Sequence, residues 1–569
     1  MSTNISKQKR DDLISKIGSI RTYISTAPQD ENTGALLTYL SELEKEVKSK
    51  KYGLVFEEHR EGIDDVLAAN TPVMTEEKDL FIDNGGQMNF LIEGDNLAAL
   101  QLLMKTHKGK IDLIYIDPPY NNGGDDFVYD DKRIDKTDTF KHSKWLSFLR
   151  NRLEIACRLL SPTGLIFISI NDKEQPGLKL LCDAILGEDN FVANIANINN
   201  PKGRSDDKYF ATAHEYLLVY RKTERSTLGG FEPEDNILRR YNKTDEKGRK
   251  FREIDLRKTG DQDRKVDRPK MFYYFYYDKK TSEFFPSFDE IEDAKYIKIM
   301  PIKDDGEYGR WRWGIETAVE NIDKIFPKYM PTRKMWGVME KDYLDERKLV
   351  KPTTSWTFKD VNSERGTEAF IALGFAKQQF QNPKPIGTIQ RVVQIASPDE
   401  GIVLDFFAGS GTTGHSVLKL NADDNSKRKF ILCTNNENNI CRDVTYERIK
   451  RVIDKEDYNA SIKYYKIDYI PINERMYYEY ADELLHHVRE LVELENGINF
   501  TGNAEIAIIL TDDELEGFVA NVQEYEKCRR IYRGHDILLS AEQEATLQER
   551  DITVCVIPDY YYRELEGGQ

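Results

Sequence analysis

In two parts of the chain, the pattern of apolar and polar residues predicts strands and helices that follow one another in turn. Short apolar runs that fit buried strands occur at 89–92, 111–116, 165–170, 216–220, 401–406 and 430–434. Between them lie segments with helical spacing of apolar residues, such as 145–160, which the sequence SPTG at 161–164 ends with a turn. This alternation predicts a parallel α/β sheet.

The same pattern divides the chain into five regions. They are a helical N-terminal region (1–80), a first half of the sheet (81–222), an insertion (223–355), a second half of the sheet (356–455) and a C-terminal α/β region (456–569). The first region carries leucines at helical spacing, from Leu36 to Leu43, without a strand pattern. It is either a solvated helical hairpin or a dimerisation or docking element.

Composition is typical of a globular protein with several domains. The 569 residues are 39% apolar and 32% charged, and no run approaches the roughly 18 apolar residues that a membrane span requires. The N-terminal sequence lacks the hydrophobic run of a secretory signal. The six cysteines show no paired CxxC spacing, so we expect neither disulfides nor a metal site, and we expect a reducing cytoplasm as the location.

The distribution of charge qualifies the formal net charge of −17, which by itself argues against a polyanionic partner. Residues 239–270 contain thirteen Lys or Arg against seven Asp or Glu, a local balance of +6. This basic segment lies within the insertion. It is compatible with nucleic-acid binding at one surface, although an ordinary solvated face remains the alternative.

The first chemical motif is IDLIYIDPPYNN at 111–122, an apolar strand that ends in Asp117, Pro118, Pro119 and Tyr120. Ligands of open α/β sheets bind beyond the carboxyl ends of the strands. Two consecutive prolines fix two φ angles and remove two N–H donors, so the loop is stiff and its carbonyls are expected to point outward as acceptors.

Methylation of an exocyclic amino group would need such a loop. The lone pair of adenine N6 is delocalised into the ring and is a poor nucleophile. Acceptors at the Asp117 carboxylate and the Pro118 carbonyl can bind both amino protons and orient the lone pair toward a methyl donor. Tyr120 can stack on a base that has been flipped out of the duplex. The structural alternative is an ordinary proline turn at a strand end.

The second motif is VLDFFAGSGTT at 403–413, a strand followed by a glycine-rich turn and a helix. Glycines permit close approach of the backbone, and a helix N-terminus offers free N–H groups to a carboxylate. The loop is neither GxGxxG nor a Walker loop, because it lacks the lysine of the latter. Asp405 suits a cationic amino group, so an amino-acid-bearing cofactor such as S-adenosylmethionine fits both features.

Together the motifs resemble those of the DNA amino-methyltransferases, and their order resembles the β class. That resemblance implies a Rossmann-like, S-adenosylmethionine-dependent α/β sheet that is circularly permuted. It implies that 81–222 is the catalytic half, that 223–355 is an inserted target-recognition domain and that 356–455 is the cofactor-binding half. It also implies adenine N6 in double-stranded DNA as the target.

The resemblance extends to further cofactor-side segments. LIEGDNL at 91–97 contributes Asp95, FQNPKP at 380–385 contributes Lys384 and Pro385, and the end of the strand at 430–434 contributes Asn435 and Glu437. The glycine loop contributes the remaining implied cofactor contacts: Asp405, Phe406, Phe407, Ala408, Gly409, Ser410, Gly411, Thr412 and Thr413. The block His214-Glu215-Tyr216 matches the family without a definite role, and no metal is implied.

Three further segments are similar to those of type III modification subunits: RWRW at 310–313, the helix at 145–160 and the segment 435–450. That resemblance implies a homodimer that confers sequence specificity on a restriction helicase-nuclease. Alternatives are an orphan adenine methyltransferase and a cytosine-N4 enzyme, although the latter more often carries Ser in place of Asp117. An RNA or protein methyltransferase is a further enzyme alternative. A chain that acts mainly as the DNA-reading component of a larger complex is the alternative from another functional class.

Two features of the insertion have a structural explanation as well as a functional one. The aromatic run MFYYFYYD at 271–278 is more typical of a core than of a base-stacking surface, because alternate residues of a strand share a face. RWRW is also expected to be structural, with Arg310 and Arg312 as candidate phosphate contacts.

Overall fold

The computed structural model describes residues 5–26, 33–48, 56, 59–122, 128–129, 132–133, 140–203, 208–233, 235–346, 349–472, 484, 486–534, 536–558 and 560. The chain forms two units, one of residues 1–228 with 353–569 and one of residues 229–352. The two ends of the predicted outer regions, 1–4 and 561–569, lie outside the described residues.

The first unit is built on a sheet of ten strands among the described residues. In chain order these are β1 (Asn70–Glu76), β2 (Gln87–Glu93), β3 (Ile111–Ile116), β6 (Leu160–Ile170), β7 (Phe191–Asn197), β8 (Glu215–Arg221), β16 (Ser355–Trp356), β17 (Ile402–Asp405), β18 (Lys429–Thr434) and β19 (Ala460–Pro471). The short strands β4 (Val128–Tyr129) and β5 (Lys132–Arg133) pair with each other. The spatial order in the large sheet is β1-β19-β2-β18-β17-β3-β6-β8-β7-β16.

The sheet is mixed, whereas the sequence predicted a parallel one. The six central strands, from β19 to β6, run parallel. Strand β1 is antiparallel to β19, and β8 is antiparallel to both β6 and β7. Reversal of β8 brings its first residue, Glu215, to the edge where the parallel strands end. Residues 161–164, which the sequence predicts as a turn, belong to β6, but the pairing of β6 with β3 is interrupted there, since Leu160 pairs with Ile111 and Leu165 with Leu113.

Helices pack on the sheet and bury an apolar core against it. Those of the first unit are α1 (Ile5–Thr26), α2 (Thr33–Lys48), α3 (Gly62–Ala69), α4 (Asn96–Thr106), α5 (Lys141–Leu159), α6 (Gln175–Leu186), α9 (Ser363–Ala372), α10 (Ile386–Ala396), α11 (Thr412–Asp424), α12 (Glu447–Glu456), α13 (Val488–Asn496), α14 (Asp512–Ala520) and α15 (Ala541–Glu549). On α5 the residues at helical spacing, including Trp145, Leu149 and Leu153, are buried, because one face of an amphipathic helix packs on the sheet. A π-helical turn, Ile440–Tyr446, precedes α12.

Both predicted outer regions contribute strands to the large sheet, so their boundaries require correction. Strand β1 lies within the N-terminal region that was predicted to be helical, and β19 lies within the predicted C-terminal region. They pair with each other over seven residues, and Lys463 on β19 is fully buried between the carboxylates of Glu76 and Glu493. The rest of the C-terminal region holds a separate parallel sheet of β20 (Ile506–Ile509), β21 (Arg530–Arg533) and β22 (Thr553–Val556), with its own apolar cluster.

The second unit is mostly β. Its strands are β9 (Lys243–Thr244), β10 (Lys250–Asp255), β11 (Tyr274–Tyr277), β12 (Phe284–Ser287), β13 (Ile297–Ile299), β14 (Ile325–Met330) and β15 (Met335–Tyr343), and its helices are α7 (Asp235–Leu238) and α8 (Ile315–Glu320). They form one sheet in the order β14-β15-β10-β9 and another in the order β12-β11-β13.

Side chains of the second unit decide two of the sequence-based interpretations. Tyr273, Phe275 and Trp311 are buried in its core, which confirms a structural role for the aromatic run. Arg310 is also buried and donates to the carbonyls of Gln262 and Trp311, so the prediction that it contacts phosphate is wrong.

Some of the positive charge of the basic segment is paired within the second unit. Arg249 forms ion pairs with Asp345 and Glu346, and Arg252 forms one with Asp342. In the part of the chain that the structure describes, no helix is long and apolar enough to cross a membrane.

Candidate active site

The predicted catalytic residues Asp117, Pro118, Pro119 and Tyr120 directly follow strand β3 at the carboxyl edge of the sheet. The indole of Trp145 on α5 donates to the Pro119 carbonyl at 2.7 Å, because a buried indole N–H needs an acceptor. That carbonyl is therefore engaged, which corrects the expectation that both proline carbonyls point outward.

One carboxylate oxygen of Asp117 is buried next to the ammonium of Lys384. This oxygen, Oδ1, lies 3.2 Å from Lys384 Nζ, but it accepts no hydrogen bond of ordinary geometry. Burial raises the pKa of this carboxyl, and the nearby ammonium of Lys384 opposes that rise. A buried oxygen with unused acceptor capacity can bind an N–H group of a substrate.

The structure brings Lys384 to Asp117 and Tyr120, whereas the sequence placed Lys384 among the cofactor contacts. Its Nζ atom donates to Tyr120 Oη and to Glu215 Oε2, both at 2.6 Å. The sequence indicates no definite role for Glu215, which also accepts a hydrogen bond from Tyr120 Oη at 3.0 Å. A carboxylate at the start of an otherwise apolar strand is the signal that could have identified it.

Asp405 is the last residue of strand β17, which is adjacent to β3. Its side chain contacts Thr413 on α11. Its carboxylate accepts from the Phe407 amide at 3.0 Å and from the Thr413 hydroxyl. Burial raises the pKa of Asp405 to about 7, and these two hydrogen bonds oppose the rise. A cation beside this carboxylate would stabilise its ionised form.

The glycine loop between them needs glycine at two positions. Gly409 and Gly411 have φ values of 49° and 73°, in the left-handed region. A Cβ atom on Gly411 would lie 3.2 Å from atoms of Thr445, and one on Gly409 would lie 3.1 Å from the ring of Phe380. Helix α11 begins after Gly411 without a side-chain cap, so its first N–H groups are available to an acceptor.

Side chains that the sequence did not reveal hold this loop in place. Arg448 on α12 is fully buried and donates to Ser410 Oγ at 3.1 Å and to Thr412 Oγ1 at 2.7 Å. Burial lowers the pKa of its guanidinium to about 9. Asn96 donates to the Phe406 carbonyl at 3.0 Å, while the amide of Ala408 donates to a carbonyl of β18.

The other predicted cofactor residues follow neighbouring strands or lie at a helix start. Asp95 caps helix α4 after β2, where its carboxylate accepts from the Leu97 amide at 2.7 Å. Asn435 and Glu437 are exposed beyond the end of β18, and Pro385 is buried at the start of α10. Because β2, β18, β17 and β3 are adjacent and parallel, all their carboxyl ends meet at one edge of the sheet.

This edge therefore combines a carboxylate acceptor, an aromatic side chain and a glycine-rich loop with free N–H groups. Among the described residues there is no group of three or more His, Cys, Asp or Glu side chains that could hold a metal ion. The arrangement fits a ligand that carries both an ammonium and a carboxylate, because the Asp405 carboxylate could pair with the first and the start of α11 suits the second.

A family model described as DNA methylase, for N6 and N4 methyltransferases, matches residues 111–445, more than half of the chain. The chain belongs to the DNA methylase family. Its circularly permuted α/β sheet, with the strand of Asp117 before the strand of the glycine loop, is the Rossmann-like sheet of a methyltransferase.

Curated relatives of this methylase come from several bacteria and a phage. It is 38% identical over 345 residues to the type II methyltransferase M.KpnI of Klebsiella pneumoniae, a match that covers 60% of this chain and 79% of the relative. It is 33% identical over 380 residues to the Mod subunit of the type III restriction-modification enzyme EcoPI of Escherichia phage P1. That match covers 62% of this chain and 58% of the Mod subunit, so it spans less than two thirds of that relative.

Among solved structures, the cytosine-N4-specific PvuII DNA methyltransferase is similar to 67% of this chain and 96% of its own, with 11% identity and a TM-score of 0.33.

Proposed function

We propose that this methylase transfers a methyl group from S-adenosylmethionine to the N6 amino group of adenine in double-stranded DNA. The observation that supports the proposal is that two loops follow adjacent strands of the sheet. The buried oxygen of Asp117 follows β3, and the glycine-rich loop follows β17. An amino acceptor and a cofactor cradle are thereby adjacent at one edge of the sheet.

The residues of the chain have defined tasks in this reaction. S-adenosylmethionine supplies an electrophilic methyl group when it is bound. Asp405 would hold its ammonium, and the start of α11 would hold its carboxylate. Asp117 and the Pro118 carbonyl would each accept a hydrogen bond from the amino group of adenine, which directs the nitrogen lone pair toward the methyl group. Transfer of the methyl group would break its bond to sulfur, leave S-adenosylhomocysteine and release one proton from the methylated nitrogen. Catalysis is then a matter of orientation, and no covalent nucleophile is required.

Base flipping is part of the proposal, because the N6 atom cannot be methylated inside the stacked duplex. We expect the partly buried ring of Tyr120 to stack on the extruded base, and its hydroxyl is already fixed by Glu215 and Lys384. Aspartate at the first position of the loop favours adenine over cytosine N4, since the cytosine enzymes more often carry serine there.

We further propose that the methylase is the modification subunit of a type III restriction-modification system. In that role unit 229–352 would recognise the target sequence, and a restriction helicase-nuclease would be the partner. The Mod relatives support this assignment, as far as their matched length extends. Six cysteines that are free in the structure agree with a reducing cytoplasm as its location.

A homodimer is the proposed assembly. Helices α1 and α2 form a hairpin that an ion pair between Arg21 and Glu44 connects, at 2.7 Å. The hairpin exposes a set of large apolar side chains: Leu13, Ile20, Tyr23, Leu36, Tyr39 and Leu43. Exposed apolar surface of this extent is typical of a protein–protein contact.

The experiment that tests the catalytic proposal incubates the full chain with unmodified plasmid DNA and a radiolabelled cofactor, and then identifies the labelled nucleoside. We expect label in N6-methyladenine. Asp117→Ala should abolish transfer and preserve cofactor binding, and the exposed Asp513→Ala should leave both unchanged. Label in N4-methylcytosine, or normal activity of Asp117→Ala, would contradict the proposal.

A further inference from the structure

Lys384, from a distant part of the sequence, forms ion pairs with the carboxylates of both Asp117 and Glu215. Lys384 Nζ lies 3.2 Å from Asp117 Oδ1 and 2.6 Å from Glu215 Oε2. Only 14% of the Lys384 side chain and 7% of the Glu215 side chain are exposed, against 28% of Asp117. The amide of Asn197 donates to the other oxygen of Glu215 at 3.2 Å, so both oxygens of that carboxylate are engaged.

The cluster contains two carboxylates and one ammonium. Burial by itself would lower the pKa of Lys384, but the carboxylates of Asp117 and Glu215 hold it above its usual value. Lys384 is therefore charged at neutral pH. In turn its charge opposes the rise in the pKa of Asp117 that burial and the like charge of Glu215 produce.

Among the described residues, three further ionisable groups interact electrostatically with Asp117, and none of them carries a positive charge. They are Tyr120 in the same loop, Tyr115 on β3 and Asp405 on β17. Burial, and next the charge of Asp117, hold the pKa of Tyr115 well above its usual value. Among the described residues, Lys384 is the cation that forms an ion pair with Asp117.

We propose that Lys384, held by Glu215, is a positioning residue that keeps the Asp117 carboxylate ionised and oriented to accept an N–H of the substrate amino group. This inference rests on the proposed function. A protonated Asp117 would present an O–H donor to the amino group, where an acceptor is required. Glu215 fixes the ammonium against Asp117, and its own negative charge limits how strongly Lys384 stabilises the ionised form.

The test measures the single-turnover methylation rate from pH 5.5 to 9.5, with saturating cofactor and unmodified plasmid DNA. Lys384→Met keeps the length of the side chain but leaves Asp117 facing Glu215 without a cation. We expect the acidic limb of the profile to move up by one pH unit or more, which corresponds to a rate about tenfold lower on that limb. Activity should recover at high pH, and the Kd of the cofactor should change less than threefold.

Two further variants separate an electrostatic role from a merely structural one. Lys384→Arg retains the charge and should keep the acidic limb close to that of the wild type. Lys384→Met combined with Glu215→Gln removes the like charge and should return the limb toward the wild-type position. A structural role would make the double variant at least as defective as Lys384→Met. The exposed Lys377→Met is the matched control and should not move the limb.

Several outcomes would overturn the inference. One is a Lys384→Met profile with a lower rate but an unmoved acidic limb. Another is a double variant whose limb stays with that of Lys384→Met. If Lys384→Met does not fold, Glu215→Gln alone decides, because removal of the like charge should shift the limb to lower pH, and an unmoved limb contradicts the inference.

Failure of the proposed function would look different from failure of this inference. A wild-type enzyme that methylates cytosine N4 would contradict the adenine proposal, yet the shifts would still be measurable on that amino group. A wild-type enzyme that methylates adenine with pH profiles insensitive to Lys384 would contradict only the inference.

Discussion

We predict that Asp405 makes cofactor affinity depend on pH, in a direction that its surroundings determine. Burial raises the pKa of this carboxyl to about 7 in the free enzyme. An ammonium bound beside it would favour the ionised form, so the pKa in the complex is lower. Binding therefore releases a proton below pH 7, and affinity rises as pH increases through the pKa of the free enzyme.

The size of the effect follows from the ionised fraction. With a pKa of about 7, Asp405 is about 76% ionised at pH 7.5 and about 3% ionised at pH 5.5, so the Kd should rise about 25-fold on acidification. Calorimetric titration with S-adenosylhomocysteine, in buffers of different ionisation enthalpy, measures both the Kd and the proton release. Asp405→Asn should bind more weakly at pH 7.5 and show no such slope.

The control is Glu400→Gln, which removes an exposed carboxylate close to β17 and should keep the wild-type slope. A Kd that stays within threefold from pH 5.5 to 7.5 would refute the reasoning. So would an unchanged slope in Asp405→Asn, since another group would then be the one that titrates.

Three further predictions concern the loops and the hairpin. Gly411→Ala places a Cβ atom 3.2 Å from Thr445 at a positive φ. We expect it to lower the free energy of unfolding by about 1–2 kcal/mol and to raise the cofactor Kd about tenfold. Unchanged cofactor binding in calorimetry would contradict this prediction. Trp145→Phe removes the hydrogen-bond donor to the Pro119 carbonyl and should lower kcat about fivefold while cofactor binding stays intact. An equal loss of kcat and of cofactor affinity would contradict this prediction and indicate general misfolding. Leu43→Asp on the exposed face of α2 should convert a dimer to a monomer in sedimentation velocity, and a persistent dimer would exclude this face.

The adjacency of the two motifs could be expected from the sequence. IDLIYI and VLDFF are short apolar runs that end in polar or glycine-rich turns, and such runs form the centre of a parallel sheet. Strands β3 and β17 are indeed neighbours, with Leu113 opposite Val403, although about three hundred residues separate them. The carboxyl ends of neighbouring parallel strands lie at the same edge of the sheet, so Asp117 and the glycine loop are expected to be adjacent there.

The partners of Asp117 could not be expected in the same way. Glu215 reaches the site only because β8 runs antiparallel to β6, and a five-residue apolar pattern is the same for either direction. Lys384 lies in a loop without periodic pattern, so nothing local indicates what its ammonium contacts. The sequence pattern does not predict that β1 and β19 join the large sheet, because pairing across about four hundred residues is decided by tertiary contacts and not by local sequence.

The path of the chain explains how a large insertion and an intact site coexist. The chain leaves the sheet after β8 and returns to it at β16, which pairs with β7 beside β8. Both connections lie on the β8 side of β3, whereas the cofactor-side strands β17, β18 and β2 lie on its other side. Residues 229–352 can therefore differ in length and sequence without a break between β3 and β17. Lys384 follows the insertion and Glu215 precedes it, so their ion pair joins the two flanks of the insertion directly at Asp117.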